Sequence, residues 1–353
     1  MKRGRIALKH SHKIYAVGLA LGIVGILTGC ARKIQEAPIL AQADLVIYTV
    51  QEPSVYEPVI KEFEERTNLA VDVRVGTTEE LKQMLENDRV ERESQELPDW
   101  DLVFGAGVEI LEQFSDQWLP CENPQTESII QEFASTDQTW VSFSALPVVI
   151  MYNTNVVTYR ELPVGWESLL EPRWRGRVAF VNPELSGIGG FALTAAHITC
   201  PDREKYVEEL AENLGFQTLQ SLNQVNEGIL DGRYSVGVTS EEAAQALRID
   251  GADVDYIYPE EGTLIVVDGI AIRRGCIHEE AARQFLEFTI SRDVQEILVS
   301  DLNRRSVRRD VAPLEGLVPM VKLPIKSAGL KELSAEKEEV LTEWRQVMEG
   351  GGS

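Results

Sequence analysis

The sequence predicts an α/β protein of two lobes joined by two crossover strands that form a hinge. Three observations carry that expectation. From Asp44 onward, apolar β-branched runs alternate with segments of helical period, the order from which parallel sheets with right-handed crossovers are built. Two long extended segments, around Ala145 to Tyr152 and Val267 to Arg273, bracket the middle of the chain, as expected where one lobe is inserted into another. Length is the third: some 310 residues from Asp44 on can fill more than one sub-domain. The predicted division is 44–146 with 272–353 for lobe 1 and 147–271 for lobe 2.

The first elements follow in order. "DLVIYTV" is a continuous apolar run, as in a buried parallel strand. Val55, Val59, Ile60 and Phe63 then fall at helical spacing, with Asn68 as the stop. "AVDVRVG" alternates as a strand. "TTEELKQMLENDRV" is a threonine-capped helix with Leu81, Met84 and Leu85 on one face. "WDLVFGAG" is a third strand and "VEILEQFSDQ" a helix.

The second unit opens with the long extended "WVSFSALPVVIMYNT". A short helix, a turn and a strand come from "WESLLEPRWRGRVAF". "GGFALTAAHITC" and "PDREKYVEELAENL" read as helices. Next come a helix, an Asp231-Gly232 turn, the strand "YSVGVT" and another helix. "VDYIYPEEGT" is a strand and turn, and "LIVVDGIAIRRG" is extended. Two helices, a proline-bearing loop from Arg304 and a last helix, "KELSAEKEEVLTEWRQVM", complete the chain. There is no internal repeat.

The N-terminus predicts export. Lys2, Arg3, Arg5, Lys9 and Lys13 precede an apolar run from Ile14 to Gly29. That run is short for a membrane span and suits a signal peptide, 1–30. Its end, "LTGC", resembles a bacterial lipobox. The resemblance implies lipidation of Cys30 and anchoring at the outer face of the cell membrane, or a periplasmic location, with 31–43 as a tether.

Composition narrows the partners. The formal net charge is −23, and loss of the basic leader leaves the remainder more acidic. Nucleic acid is therefore not an expected partner, since its binding needs clustered Lys and Arg. A local helix terminus still attracts an anion, because distant charge is screened over about 8–10 Å. Cys121, Cys200 and Cys276 are widely spaced, so neither a CxxC nor a zinc set is present, and their odd number precludes full internal pairing. No GxSxG, HExxH or spaced carboxylate pair supports catalysis. No cofactor and no metal are expected.

Candidate site residues come from strand ends and helix starts, where open α/β sheets bind ligands. In "NPELSGIGGFAL", Ser186, Gly187 and Ile188 open a helix. Its free N–H groups and positive dipole end suit phosphate, phosphonate or carboxylate. From the first lobe come Thr49, Gln51 and the "GAG" of Gly105, Ala106 and Gly107. Ser144 lies at a crossover, and Thr239, Ser240 and Glu241 end a strand of the second lobe. Asp268 reads as a hinge or ligand contact. Arg304 and Arg305 read as phosphate partners or as a surface pair.

In this order, "DLVIYTVQEPSVYEPVIKEFEERTNLAVDVRVGTTEELKQML", "DLVFGAG", "LPVVIMYNT", "WESLLEPRWRGRVAFVNPELSG", "YSVGVTSEEAA", "YPEEGTLIVVDGIAI" and "RRSVRRD" resemble solute-binding lipoproteins of bacterial ABC importers. The similar group takes in ferric-ion, phosphonate and sugar-phosphate binders. The resemblance implies a two-lobed periplasmic-binding-protein type II fold. It also implies a monomer that closes on a small solute and delivers it to a permease with its ATPase, without catalysis. In similar proteins the Ser186–Gly187 turn lines the cleft and contacts an anion. Ferric members usually carry adjacent tyrosines after the strand that here ends in Thr239-Ser240-Glu241, and no adjacent tyrosines occur in this chain. A small anionic solute, phosphate ester or phosphonate, is the favoured ligand. Ferric ion and a role as receptor for a membrane sensor kinase are the alternatives.

Overall fold

The structure is a computed structural model that describes residues 43–90, 99–326 and 329–351. The signal peptide, Cys30 and nearly all of the tether lie outside the described residues. Among those residues, no helix is long and apolar enough to cross a membrane.

The first half alternates as expected: β1 (Leu45–Thr49), α1 (Pro53–Thr67), β2 (Val71–Val75), α2 (Thr78–Val90), β3 (Leu102–Gly107) and α3 (Val108–Gln113). Pro53 starts α1 and Asn68, at φ 58°, ends it, each where the backbone favours it. Val55, Val59, Ile60 and Phe63 form its buried face. Thr77 and Glu80 cap α2 reciprocally. β2 and β3 both pair with β1 in parallel, so their carboxyl ends share one edge.

β4 (Val141–Asn153) is buried along its length and joins the two halves. Up to Pro147 it pairs with β8 (Ile265–Ile272), and at Ser144 and Ala145 it also pairs with β9 (Arg305–Ser306). From Val148 its partners change to β6 (Val236–Ser240) and β7 (Val254–Ile257). β5 (Val178–Ala179) adds to β6 in parallel. The nine strands form one sheet with the path β2-β1-β3-β8-β4-β6-β5. The change of partner falls at 147–148.

The return path differs from the expected boundary after 271. β8 pairs with the first half of β4 from Ile265 and with β3 from Asp268. The crossing therefore falls at Thr263–Leu264, where Thr263 Oγ1 donates to the Val148 carbonyl at 2.7 Å. The strand β9 forms inside what the sequence suggested was loop, because its two residues complete the free edge of β4.

Helices α4 (Gly187–Thr199), α5 (Arg203–Asn213), α6 (Leu222–Leu230) and α7 (Glu241–Ile249) belong to the second half, and α8 (Glu279–Thr289) and α9 (Arg292–Leu302) to the first. α10 (Leu330–Gly351) packs on α4 and α5, although sequence order placed it with the first lobe. Leu333, Val340 and Trp344 are buried in the same core as Phe180, Leu193 and Leu210. That apolar face of α10 explains the docking: burying each such side chain stabilises by roughly 1.5–3 kcal/mol. The first half has its own core, in which Phe104 meets Phe143 and Phe285 edge to face, with centroids 4.7 and 5.5 Å apart.

Candidate functional site

The carboxyl ends of β1 and β3, the crossing strands and the starts of α4 and α7 supply the predicted residues. At β1, Thr49 Oγ1 donates to the Phe104 carbonyl at 2.9 Å and accepts from the Gln51 N–H at 3.1 Å. This local turn carries Gln51 over β3, where its Nε2 donates to the Gly105 carbonyl at 2.6 Å. Gly105 has φ +78°, and a Cβ there would strike the Gln51 side chain. Glycine is required on both counts. Ala106 and Gly107 pair with Gly269 and Asp268 of β8.

A buried polar hub sits where β4, β8 and β9 meet. Its centre is Arg304, 6% exposed. Arg304 Nη1 donates to Asp268 Oδ2 at 2.8 Å and to Ser144 Oγ at 3.1 Å. Nη2 donates to Gln51 Oε1 at 3.0 Å, and Nε donates to Glu242 Oε1 at 3.1 Å. Ser144 Oγ in turn donates to Asp268. One guanidinium thus ties the tip of β1, both crossing strands and the first turn of α7. Burial pushes the Asp268 carboxyl up to about 6, against the pull of Arg304 and the Ser144 hydroxyl.

Beside the hub lies a second buried pair. Arg305 grips Glu241 through Nε at 2.5 Å and Nη2 at 2.7 Å, and Tyr258 donates its hydroxyl to the same carboxylate. Arg305 and Glu241 are 3% and 1% exposed. Burial, with Glu241 adding to it, raises the Tyr258 hydroxyl far above the ordinary tyrosine range, so it stays a donor. Consecutive glutamates thus face consecutive arginines, Glu241 with Arg305 and Glu242 with Arg304. The sequence reading of Arg304 and Arg305 as surface pair or free phosphate partners is corrected: both are buried and engaged by carboxylates. Glu241, offered as a solute acceptor, already accepts from three donor groups. Thr239 Oγ1 donates to Asn226, and Ser240 caps α7 by accepting from the Ala243 N–H.

The start of α4 is built differently. Ser186 is its N-cap and accepts from the Gly189 N–H at 3.4 Å. A Cβ on Gly189 would come within 2.9 Å of the Val181 carbonyl, and one on Gly190 within 3.1 Å of the Pro183 carbonyl. These two glycines serve close packing. Gly187 is exposed, and a Cβ there would meet nothing within 4 Å. Ile188 is buried beneath it. Of the first-turn N–H groups, that of Gly189 is taken by the Ser186 side chain and that of Gly190 by the Ser186 carbonyl, while those of Gly187 and Ile188 have no acceptor within the helix.

The residue sequence reasoning missed is Lys337 of α10. Its Nζ donates to Glu109 Oε1 of α3 at 3.0 Å and lies 4.7 Å from the Phe191 ring of α4. It thereby connects the first turn of α4 to the segment after Gly107. The sequence held no signal for this, since the packing face of α10 was not legible before the fold. Two surface cavities of about 380 and 220 Å³ lie in the first half, and neither is lined by a predicted site residue. Among the described residues no His, Cys, Asp and Glu group is disposed to hold a metal ion. Cys121, Cys200 and Cys276 are free thiols.

Comparison with known proteins places the fold. Residues 108–313 match the family described as bacterial extracellular solute-binding protein. The "Fe(3+)-binding periplasmic protein" of Serratia marcescens is 21% identical over 316 residues, 86% of this chain and 90% of the relative. The periplasmic binding protein AfuA of Actinobacillus pleuropneumoniae, solved with fructose-6-phosphate, superposes with a TM-score of 0.74 at 17% identity, covering 86% of this chain and 98% of AfuA. A structure described as a two-component system protein mediating signal transduction gives a TM-score of 0.73 at 22% identity, covering 85% and 99%. The fold is that of type II periplasmic binding proteins.

Proposed function

The chain belongs to the bacterial extracellular solute-binding protein family. From that premise we propose that it is an exported, lipid-anchored receptor that closes two lobes over a small anionic solute. A phosphate ester or phosphonate is passed to an ABC permease and its ATPase. No bond of the solute is made or broken. The observation that supports the anion reading is the start of α4, where exposed Gly187 puts no side chain over the first turn and the N–H groups of Gly187 and Ile188 have no acceptor within the helix. Gln51, Gly105–Gly107, Ser144 and Thr239–Glu241 form the framework opposite, and Arg304 holds Gln51 and Ser144 within it.

The α7 wall supports the same choice. A ferric ion would need anionic oxygen ligands, and here Glu241 and Glu242 are each met by a guanidinium. A thermal-shift panel of sugar phosphates, phosphonates, inorganic phosphate and ferric salts tests the reading. Binding to the native state raises stability by RT ln(1 + [L]/Kd). A shift with a phosphate compound is expected, and a shift with ferric salt alone overturns the reading in favour of iron.

The likeness to a signal-transduction structure favours a second reading, reception for a membrane sensor. Co-purification from membranes with a histidine kinase in place of a permease would establish it. The anchor has its own test: Cys30→Ser should move the chain from the membrane to the soluble fraction.

A further inference from the structure

Lys337 and Glu109 form a pair that the framework above does not use. Glu109 follows β3 and Gly107, while Lys337 reaches over Phe191 and against Gly190 in the first turn of α4. The pair thus lies between two segments assigned to the solute site. Glu109 spends one carboxylate oxygen, Oε1, on Lys337 at 3.0 Å. Its other oxygen, Oε2, is buried and has no hydrogen-bond partner among the described residues. A buried carboxylate oxygen without a donor costs free energy of desolvation, and the bond from Lys337 to Oε1 fixes the orientation of the group.

We propose that Glu109 is a specificity-determining residue whose Oε2 accepts a hydrogen bond from a hydroxyl on the solute, with Lys337 as its positioning residue. This rests on the anion reading and sharpens it: the solute is a hydroxylated phosphate ester, gripped by its phosphate at α4 and read by its hydroxyl at Glu109. Inorganic phosphate or a bare alkyl phosphate satisfies only the first contact.

The test is calorimetric titration of the wild type, Glu109→Ala and Lys337→Met with glucose 6-phosphate, glycerol 3-phosphate and methyl phosphate. The wild type should bind one of the hydroxylated esters more tightly than methyl phosphate. Glu109→Ala should cut that preference by roughly ten- to a hundredfold, as for loss of a hydrogen bond to a charged group. Lys337→Met should cut it in the same direction. A merely structural role would weaken all three compounds alike and leave their ratio unchanged. Equal wild-type binding of the three, or an unchanged ratio in Glu109→Ala, overturns the inference alone. Absence of binding by all three overturns the anion reading and this inference with it.

Discussion

Replacing Glu241 by glutamine isolates the contribution of the buried ion pair. The substitution keeps the shape but turns one accepting oxygen into an NH2 donor and leaves the Arg305 guanidinium without its counter-charge. Both side chains are almost wholly buried, and the carboxylate accepts twice from Arg305 and once from Tyr258. Breaking such a pair from one side costs about 3–5 kcal/mol. Spread over a chain of this size, that lowers the melting temperature by on the order of 10 °C. Urea denaturation and calorimetry read the loss directly. A double variant, Glu241→Gln with Arg305→Met, removes the stranded charge and should recover most of the stability. A single-variant loss below about 1 kcal/mol, the range of exposed pairs, would show that the pair contributes no more than a surface one, and a double variant no better than the single would show that no stranded charge is left. The result also bears on the site, because a glutamate that serves the wall is not available to a cation.

Other consequences are as direct. Asp268 has a folded pKa of about 6 against 3.8 for the free side chain, so the native state binds the extra proton between these values. Stability from this residue is present below about pH 4 and lost as the pH rises through about 6; relative to Asp268→Asn, the wild type should weaken across that window, and parallel profiles would contradict it. Burial pushes the thiols of Cys121 and Cys276 up to about 11 and that of Cys200 to about 12. A thiol reagent at pH 7.5 should therefore label the native chain slowly and the unfolded chain fast, and rapid native labelling would disprove this packing.

Much of the fold was legible because its cues are local. The buried face of α1, the Thr77 cap of α2 and the long run of β4 each announce themselves in a few adjacent residues. What escaped reading depends on distant pairing. β9 consists of two residues whose strand character comes from the edge of β4, and α10 has a face whose partner sequence order conceals. The site divides in the same way. Ser186 and Gly187 are a cap with a glycine beside it, visible in one line of sequence. Glu241 and the Arg304–Arg305 doublet stand out in the sequence, but Glu242 does not, and nothing local says that the glutamates and arginines face each other. Lys337 lies far from Glu109 in sequence, and their contact exists only after α10 has docked on α4.

The most direct test of the anion site is the affinity of Gly187→Val. A Cβ at Gly187 meets no atom within 4 Å, so the variant should melt with the wild type. Its branched side chain nevertheless fills the space above the first turn of α4. Binding of the best-bound phosphate compound should weaken by tenfold or more while the unliganded melting temperature holds. Unchanged affinity in a well-folded Gly187→Val chain would place the solute away from the start of α4.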